Sequence, residues 1–554
     1  MKIIECVPNF SEGRDSSTIN SIVEEIKKNK SIELLDVDPG KDTNRTVVTF
    51  IGSPDDVIEA AFNAIKKASE LIDMRYHSGE HPRMGATDVC PLIPVSNVSM
   101  KECIGFSKIL AKRVAKELNI PIFLYEESAT TIERQNLANI RKGEYEGMAE
   151  KLLSEKWKPD YGKATMNMKA GVTAIGARNY LIAYNINLNT TDKKIASDIA
   201  LDIRELGRAR RDSKGKIIRF SNGEINRKPG KLKATKAVGW YIDEYKKAQV
   251  SMNLINYKIT SIHKAFEEVR KQARKRGLRV TGSEIVGLIP KEALLEAGLY
   301  YIKKQNKCKA VSENNIIHIA IESLGLNEIS TFDPNLNIVE NRILREDQLI
   351  ELKVKEFTDE VSSDSPAPGG GSVSSLAGSL SASLIAMVAN LTFNKKGYTS
   401  KNSIIEDIGC KAQSIKNNLN NLIDADSKAF NMIMKSFRLP KKTEEEQKNR
   451  DIEIEKATIN AIEIPFSIMK LSMEALKLSK RIAKIGNKNS LSDSGVASEM
   501  AYCSIKGAYM NVLINLKDLN NKSYKQKMNK KATIVNRNAN KIIKECRSYI
   551  LKNL

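Results

Sequence analysis

Histidine is nearly missing from this chain, with four in 554 residues. Tryptophan numbers two, and the aromatic residues together make 6%. With so few aromatics and no interleaving of arginine among them, the chain lacks the stacking surfaces that nucleic-acid binders use. The seven cysteines, Cys6, Cys90, Cys103, Cys308, Cys410, Cys503 and Cys546, include no CxxC pair. An odd, scattered set predicts reduced thiols in a cytoplasmic protein. No apolar run reads as long enough to span a bilayer, which predicts no membrane partner. The start, "MKIIECVPNF", enters a strand-like pattern without a basic stretch and a long apolar run, so no signal peptide is expected.

What is present is a composition 41% hydrophobic and 28% charged, that of a folded protein. The length suggests about three to four domains. The net charge of +22 has two readings. It favours polyanionic or multiply charged partners, or it reflects lysine used as a solvated surface residue.

The first part of the chain alternates strand and helix patterns: "KIIECVPNF", "DSSTINSIVEEIKKN", "SIELLDV", "RTVVTFIG", "PDDVIEAAFNAIKKASELI" and "TDVCPLIPV". The two prolines of the last suggest an edge strand. A helix, "SMKECIGFSKILAKRVAKELN", and a strand, "PIFLYEE", follow. This is the β-α-β-β-α-β order of a ferredoxin-like unit with an addition. A similar order returns after residue 180, where "SEIVGLIPKEALLEAG" echoes "TDVCPLIPVSNVSM" as a faint internal repeat. The class is therefore α+β: two ferredoxin-like α/β sandwich subdomains, 1–180 and 181–326, and a polar linker, 327–350. An all-α helical bundle at 351–554 completes the chain.

Two of the four histidines, His77 and His81, fall in "HSGEHPRMGATDVCPLIPV". Pro82 biases His81 toward extended backbone, and Gly79 and Gly85 permit sharp turns on either side. An imidazole presented this way is either an acid/base near neutral pH or a loop histidine bonding a carbonyl. No third His or Cys completes a zinc set, so no metal is expected. Asp36 and Asp38 share one face of a strand end. Asp38 either orients a histidine or caps the "DPGK" turn. Asn185, Asn187 and Asn189 line one strand face, as a polar cleft or as a solvated surface.

In the helical part, "SDSPAPGGGSV" puts Gly369, Gly370, Gly371 and Ser372 at a positive helix end. The stretch is either a site or a capped linker. "LIDADSKAF" sets Asp424 and Asp426 in an apolar helix, and residues two apart do not share a face. One that points inward has a raised pKa and suits acid/base work; two solvated carboxylates are the plainer reading. Asn487 and Asp493 lie in the polar turn "GNKNSLSDSG". Asn511 and Asn515 sit four apart on one helical face, as ligand contacts.

These runs, together with "ECVPNFSEG", "LLDVD", "TNRTV", "LIDMR", "IRKGEYEG", "LIAYNINL", "VGWYIDE" and "GAYMNVLINLKD", resemble the bifunctional formimidoyltransferase–cyclodeaminase family from end to end. The resemblance implies two folate reactions. The first moves a formimino group from N-formimidoyl-L-glutamate to N5 of tetrahydrofolate. The second closes 5-formimidoyl-tetrahydrofolate to 5,10-methenyl-tetrahydrofolate with loss of ammonia. The family's transferase histidine falls on His81, supported by Asp38 and Arg45. Its cyclodeaminase acid/base falls on Asp426, with the glycine loop approaching the folate. Its folate-binding segment falls on Gly162, Lys163, Ala164, Thr165, Met166, Asn167, Met168, Lys169, Ala170 and Gly171. Mammalian members carry an aromatic residue where Ala170 stands. The resemblance also implies a polyglutamylated tetrahydrofolate co-substrate, whose tail would use the basic surface, and a homo-oligomer.

Two alternatives compete: a monofunctional folate enzyme with one decayed site, and a basic scaffold or nucleic-acid-binding protein. Intact motifs around both His81 and Asp426 oppose the first. The scarcity of aromatics and the lack of RNA-binding runs oppose the second, so no nucleic-acid partner is expected.

Overall fold

The computed structural model describes residues 2–41, 44–79, 82–342 and 348–554. The chain divides into two compact units, Met1–Gly298 with Ala320–Leu344, and Leu299–Ile319 with Arg345–Leu554.

The first unit holds two main sheets. Strands β1 (Ile3–Cys6), β2 (Asn9–Phe10), β3 (Glu33–Gly40), β4 (Arg45–Gly52), β5 (Thr87–Ser96), β6 (Ile122–Glu126) and β7 (Thr173–Ala177) form one seven-stranded sheet. Its order is β3-β4-(β1, β2)-β5-β7-β6. Helices Ser16–Lys27, Pro54–Leu71 and Met100–Leu118 cover one face and bury Ile22, Ile65 and Leu110 against Ile4 and Phe50. Local chemistry starts each of them. Asp15 accepts from the Ser17 and Thr18 amides, Ser53 caps a helix with Pro at its first position, and Ser99 and Glu102 close a capping box.

Strand β5 is not an edge. It pairs antiparallel with β1 and β2 and parallel with β7. Its prolines are tolerated because the ladders are interrupted beside them. Pro91 accepts from the Val7 amide at the break between β1 and β2, and Pro94 lies beyond the last β7 pair, at Leu92. Strand β7, in "VTAIGA", was not expected. It slots between β5 and β6, and Gly176 there leaves no room for a Cβ against the Tyr125 carbonyl, 2.3 Å away.

Strand β8 (Ile182–Leu188) begins the second sheet. A two-stranded ribbon of β9 (Arg208–Ala209) and β10 (Arg227–Lys228) stands apart from it. Strands β11 (Thr235–Ile242), β12 (Lys247–Leu254) and β13 (Val280–Val286) complete the order β11-β12-β8-β13. Asn185 and Asn187 on β8 are buried, whereas Asn189, just past the strand's end, is exposed. Asn187 is fully buried, accepting from Gln249 at 2.8 Å and donating to Glu328 at 2.6 Å. Asn185 donates to Glu284, and Asn189 accepts from the Arg279 amide.

The second unit is a bundle of helices Gly370–Thr392, Asn402–Phe437, Glu444–Ile485, Leu491–Lys517 and Lys522–Asn553. Small residues and inward serines bring the helices close. Ser375 donates to the Leu419 carbonyl and Ser381 to the Ala497 carbonyl, both at 2.7 Å. A Cβ on Gly378 would lie 2.5 Å from the Ser472 hydroxyl. Contrary to the sequence expectation, Gly370–Thr392 is long and apolar enough to cross a membrane, but 67% of its most apolar window is buried inside the structure. Its hydrophobicity belongs to the bundle core.

Candidate functional site

In the first unit several polar and charged side chains meet on either side of residues 80–81. His81 itself, with Glu80, lies outside the described residues. Its neighbours show how the loop is held. The Nε2 of His77 lies 2.9 Å from the Asn44 carbonyl, which only accepts, so Nε2 carries the proton. Nδ1 is then the acceptor for Arg83 Nε at 3.2 Å. Burial pushes the His77 pKa down and keeps the ring neutral. Arg83 is itself buried and reaches Glu144 at 2.9 Å and Glu146 at 2.7 Å. The first histidine of the pair is thus a clamp on the loop.

The far side of the loop rests on Asp88, whose side chain is 1% exposed. Its carboxylate accepts from the Met84 amide at 3.1 Å, from Arg45 at 3.3 Å and from Nε and Nη2 along one edge of the Arg141 guanidinium. Arg45 also donates to Asn9 at 2.9 Å. Burial, with Arg141 nearby, lowers the Arg45 pKa to about 10 despite the Asp88 charge. Asp38 is exposed on edge strand β3 opposite Val47, and no ion pair joins it to Arg45 among the described residues.

The segment Gly162–Gly171 packs against the same loop. The Val172 amide donates to the Met84 carbonyl and the Ala86 amide to the Ala170 carbonyl, at 2.9 and 2.8 Å. Gly171 has φ +71°, and a Cβ there would lie 2.3 Å from the Met84 carbonyl. Only glycine satisfies both constraints. Lys163, Ala164, Thr165, Met168 and Lys169 are exposed, Met166 and Asn167 half-buried, and Ala170 buried. Asn167 accepts from the Lys169 and Ala170 amides and so shapes the turn. Asn9, Asp88 and Arg141 were missed in the sequence. Their only local signal is a polar residue in an apolar or turn-rich run.

In the bundle, Gly369 caps the helix Gly370–Thr392. The Ser372 amide and hydroxyl donate to Asp426, the hydroxyl at 3.4 Å; the same hydroxyl reaches the Ile423 carbonyl at 2.8 Å. A Cβ on Gly371 would sit 2.1 Å from the Asp426 carboxylate, and one on Gly370 would sit 3.1 Å from Asn511 Nδ2. The glycines are therefore a matter of space at the carboxylate. Burial raises the Asp426 pKa, and only the two Ser372 donors oppose it. Asp424 turns elsewhere and accepts from the Leu349 amide at 2.7 Å and the Ile350 amide at 3.4 Å. Asn515, one turn beyond Asn511, donates to the Ala461 carbonyl at 2.7 Å.

Asn487 and Asp493 are not part of this cluster. The Asn487 amide donates to Thr392, at the opposite end of the helix from Gly371, about 30 Å along its axis. Asn487 accepts there from Lys395, and Asp493 lies in the first turn of Leu491–Lys517. Among the described residues, no group of three or more His, Cys, Asp or Glu has the geometry to hold a metal ion.

Comparison with known proteins completes the picture. Residues 3–178 match the formiminotransferase domain, N-terminal subdomain, 183–344 the formiminotransferase domain, and 353–533 the formiminotransferase-cyclodeaminase family. The formimidoyltransferase-cyclodeaminase of Dictyostelium discoideum is 44% identical over 97% of both chains. The chain belongs to the formimidoyltransferase-cyclodeaminase family. Each half of this family member also has relatives of its own. The glutamate formimidoyltransferase of Streptococcus pyogenes serotype M1 is 45% identical over 57% of this chain and 99% of its own. The methenyltetrahydrofolate cyclohydrolase of Methylorubrum extorquens is 33% identical over 31% of this chain and 82% of its own.

Proposed function

We propose that the protein transfers the formimino group of N-formimidoyl-L-glutamate to tetrahydrofolate and then closes 5-formimidoyl-tetrahydrofolate to the 5,10-methenyl form, releasing ammonia. The observation that carries this is full-length similarity to bifunctional relatives, with the half-buried Asp426 carboxyl held at the glycine-lined helix start. The monofunctional and scaffold alternatives are not favoured, because the relatives carry both halves over nearly the whole chain.

His81 acts as acid and base in the first reaction, on a loop braced by His77, Arg83 and Asp88, with Arg45 and Asp38 as its support. The segment 162–171 contributes to the folate site from the loop's other side. Asp426 protonates the departing nitrogen in the second reaction, with Gly369, Gly370, Gly371, Ser372 and Asn511 as its surroundings. Tetrahydrofolate is a co-substrate, in polyglutamylated form, and no metal takes part. The protein is a cytoplasmic homo-oligomer, in keeping with its seven free cysteines. Each main sheet of the first unit, with its helices, is a ferredoxin-like unit. The shared strand order, second-third-first-fourth, supports this.

The test mixes purified protein with tetrahydrofolate and formimidoylglutamate and follows methenyl absorbance and ammonia. Wild type makes both products, His81→Ala makes neither, and Asp426→Ala accumulates formimidoyl-tetrahydrofolate. A folded wild-type protein that makes neither product ends this reading.

A further inference from the structure

Arg141 ends the short helix Leu137–Arg141 and engages only part of its guanidinium. Nε and Nη2 donate to Asp88 along one edge. Nη1 has no partner among the described residues, and it is not sealed from solvent. The side chain is nevertheless only 16% exposed, so most of the group is sheltered from bulk water. Asp88 also accepts from Arg45, so one carboxylate faces two guanidinium groups. A sheltered cation whose counter-charge is shared attracts a further anion, and the planar guanidinium fork matches a carboxylate. The position is fixed from behind. Lys151 donates to the carbonyls of Asn139, Ile140 and Lys142 at 2.7, 2.6 and 3.1 Å, which holds the turn on both sides of Arg141. Its ammonium also lies 4.2 Å from the centre of the Trp157 ring. From the front, the Asp88 carboxylate ties the guanidinium to the Met84 amide, three residues past His81. An arginine held this way loses little freedom on binding, which favours recognition of a charged group.

We infer that Arg141 is a specificity residue of the transferase reaction: its free end binds a glutamyl carboxylate. The inference rests on the transferase reading of the first unit. The formimino group leaves the amine of glutamate, and neither carboxylate of that molecule reacts. Glutamate is therefore selected by binding, through a charged group that an uncharged analogue leaves unpaired. Tetrahydrofolate carries a glutamyl group too, and the same chemistry serves either source.

The experiment measures formimino transfer by the full chain from N-formimidoyl-L-glutamate and from the two analogues whose α- or γ-carboxylate is an amide. Transfer is run to tetrahydrofolate and to tetrahydropteroate, which lacks the glutamyl group. Wild type should use one of these neutralised substrates about ten- to a hundredfold less well, the range for a hydrogen bond to a charged group. Arg141→Gln should raise KM for the intact substrate by the same factor and abolish that preference, while Arg141→Lys keeps part of it. A preference lost among the formimino donors names formimidoylglutamate as the source. A preference lost for tetrahydrofolate over tetrahydropteroate names the folate. Asp88 keeps Arg45 and the Met84 amide in both variants, and urea unfolding checks that the first unit stays folded. If Arg141→Gln does not fold, Arg141→Lys decides: a weakened preference supports the inference and an unchanged one overturns it. A wild type that uses the neutralised substrates as well as the natural ones overturns it without any variant. Unchanged preferences in a folded Arg141→Gln overturn it too, because the arginine then only braces Asp88. A folded wild type that transfers from no formimino donor removes the transferase reading, and this inference with it.

Discussion

Two aspartates, one in each unit, have opposite surroundings. Asp88 lies against two guanidinium groups and a backbone amide. Asp426 has a backbone amide and one hydroxyl, and no cation acts on it among the described residues. A carboxylate so fully paired is a structural anchor for the loop that Met84 belongs to. A carboxyl buried without a counter-charge resists ionising and is free to take and return a proton. Asp88 is fully buried and Asp426 half-buried, and the charges around them differ more sharply still.

The largest effects should separate them by kind. Asp426→Asn should slow ammonia release by about 10²- to 10⁴-fold, with transferase turnover unchanged, as read by ammonia and formimidoyl-tetrahydrofolate assays. Asp88→Ala should do the reverse: it takes the shared carboxylate away from Arg45 and Arg141 and should destabilise the first unit by about 3–5 kcal/mol, measured by urea unfolding. If Asp88→Ala leaves stability unchanged, the contrast fails.

Gly371→Ala sharpens the comparison without touching a charge. Its methyl would lie 2.1 Å from the Asp426 carboxylate, so the carboxyl must move. Ammonia release should fall by roughly ten- to a hundredfold, as expected when a catalytic group is misplaced by about 1 Å, with the transferase rate as the internal control.

Proton linkage gives a smaller signal. Glu5 is buried, and burial raises its pKa to about 7. The folded state then holds a proton that the unfolded state, with a carboxyl near its ordinary value of ~4.3, has already lost. Stability contributed at this position is therefore greatest at low pH and declines as pH rises through the window up to about 7. Glu5→Gln should raise the melting temperature at pH 8 and leave it unchanged near pH 4. The smallest effect belongs to His77→Phe, which leaves the Asn44 carbonyl and Arg83 Nε without their partner and should cost about 1 kcal/mol.

Much of this was legible before the fold. The strand–helix alternation, the helical second half, the histidine loop, the glycine run and the inward aspartate each depend on neighbours within a few residues, so local pattern carries them. The "DAD" spacing already required its two carboxylates to diverge, and they do, Asp424 to a backbone turn and Asp426 to Gly371. Assignments that needed a third dimension went differently. Two prolines made β5 look like an edge, whereas interrupted ladders on both sides let it run inside the sheet. Asn487 and Asp493 look like companions of Asn511, but a rigid helix holds them about 30 Å away.

The sequence by itself determined the family, most of the element types and the candidates for acid/base chemistry, because periodicity, caps and motif runs are local. Only the tertiary structure decided which of those residues are charge-paired. Asp88 and Arg141 stand 53 positions apart, and Gly371 and Asp426 stand 55 apart. Whether a buried carboxyl anchors a loop or moves a proton depends on the groups that folding brings within a few ångströms of it.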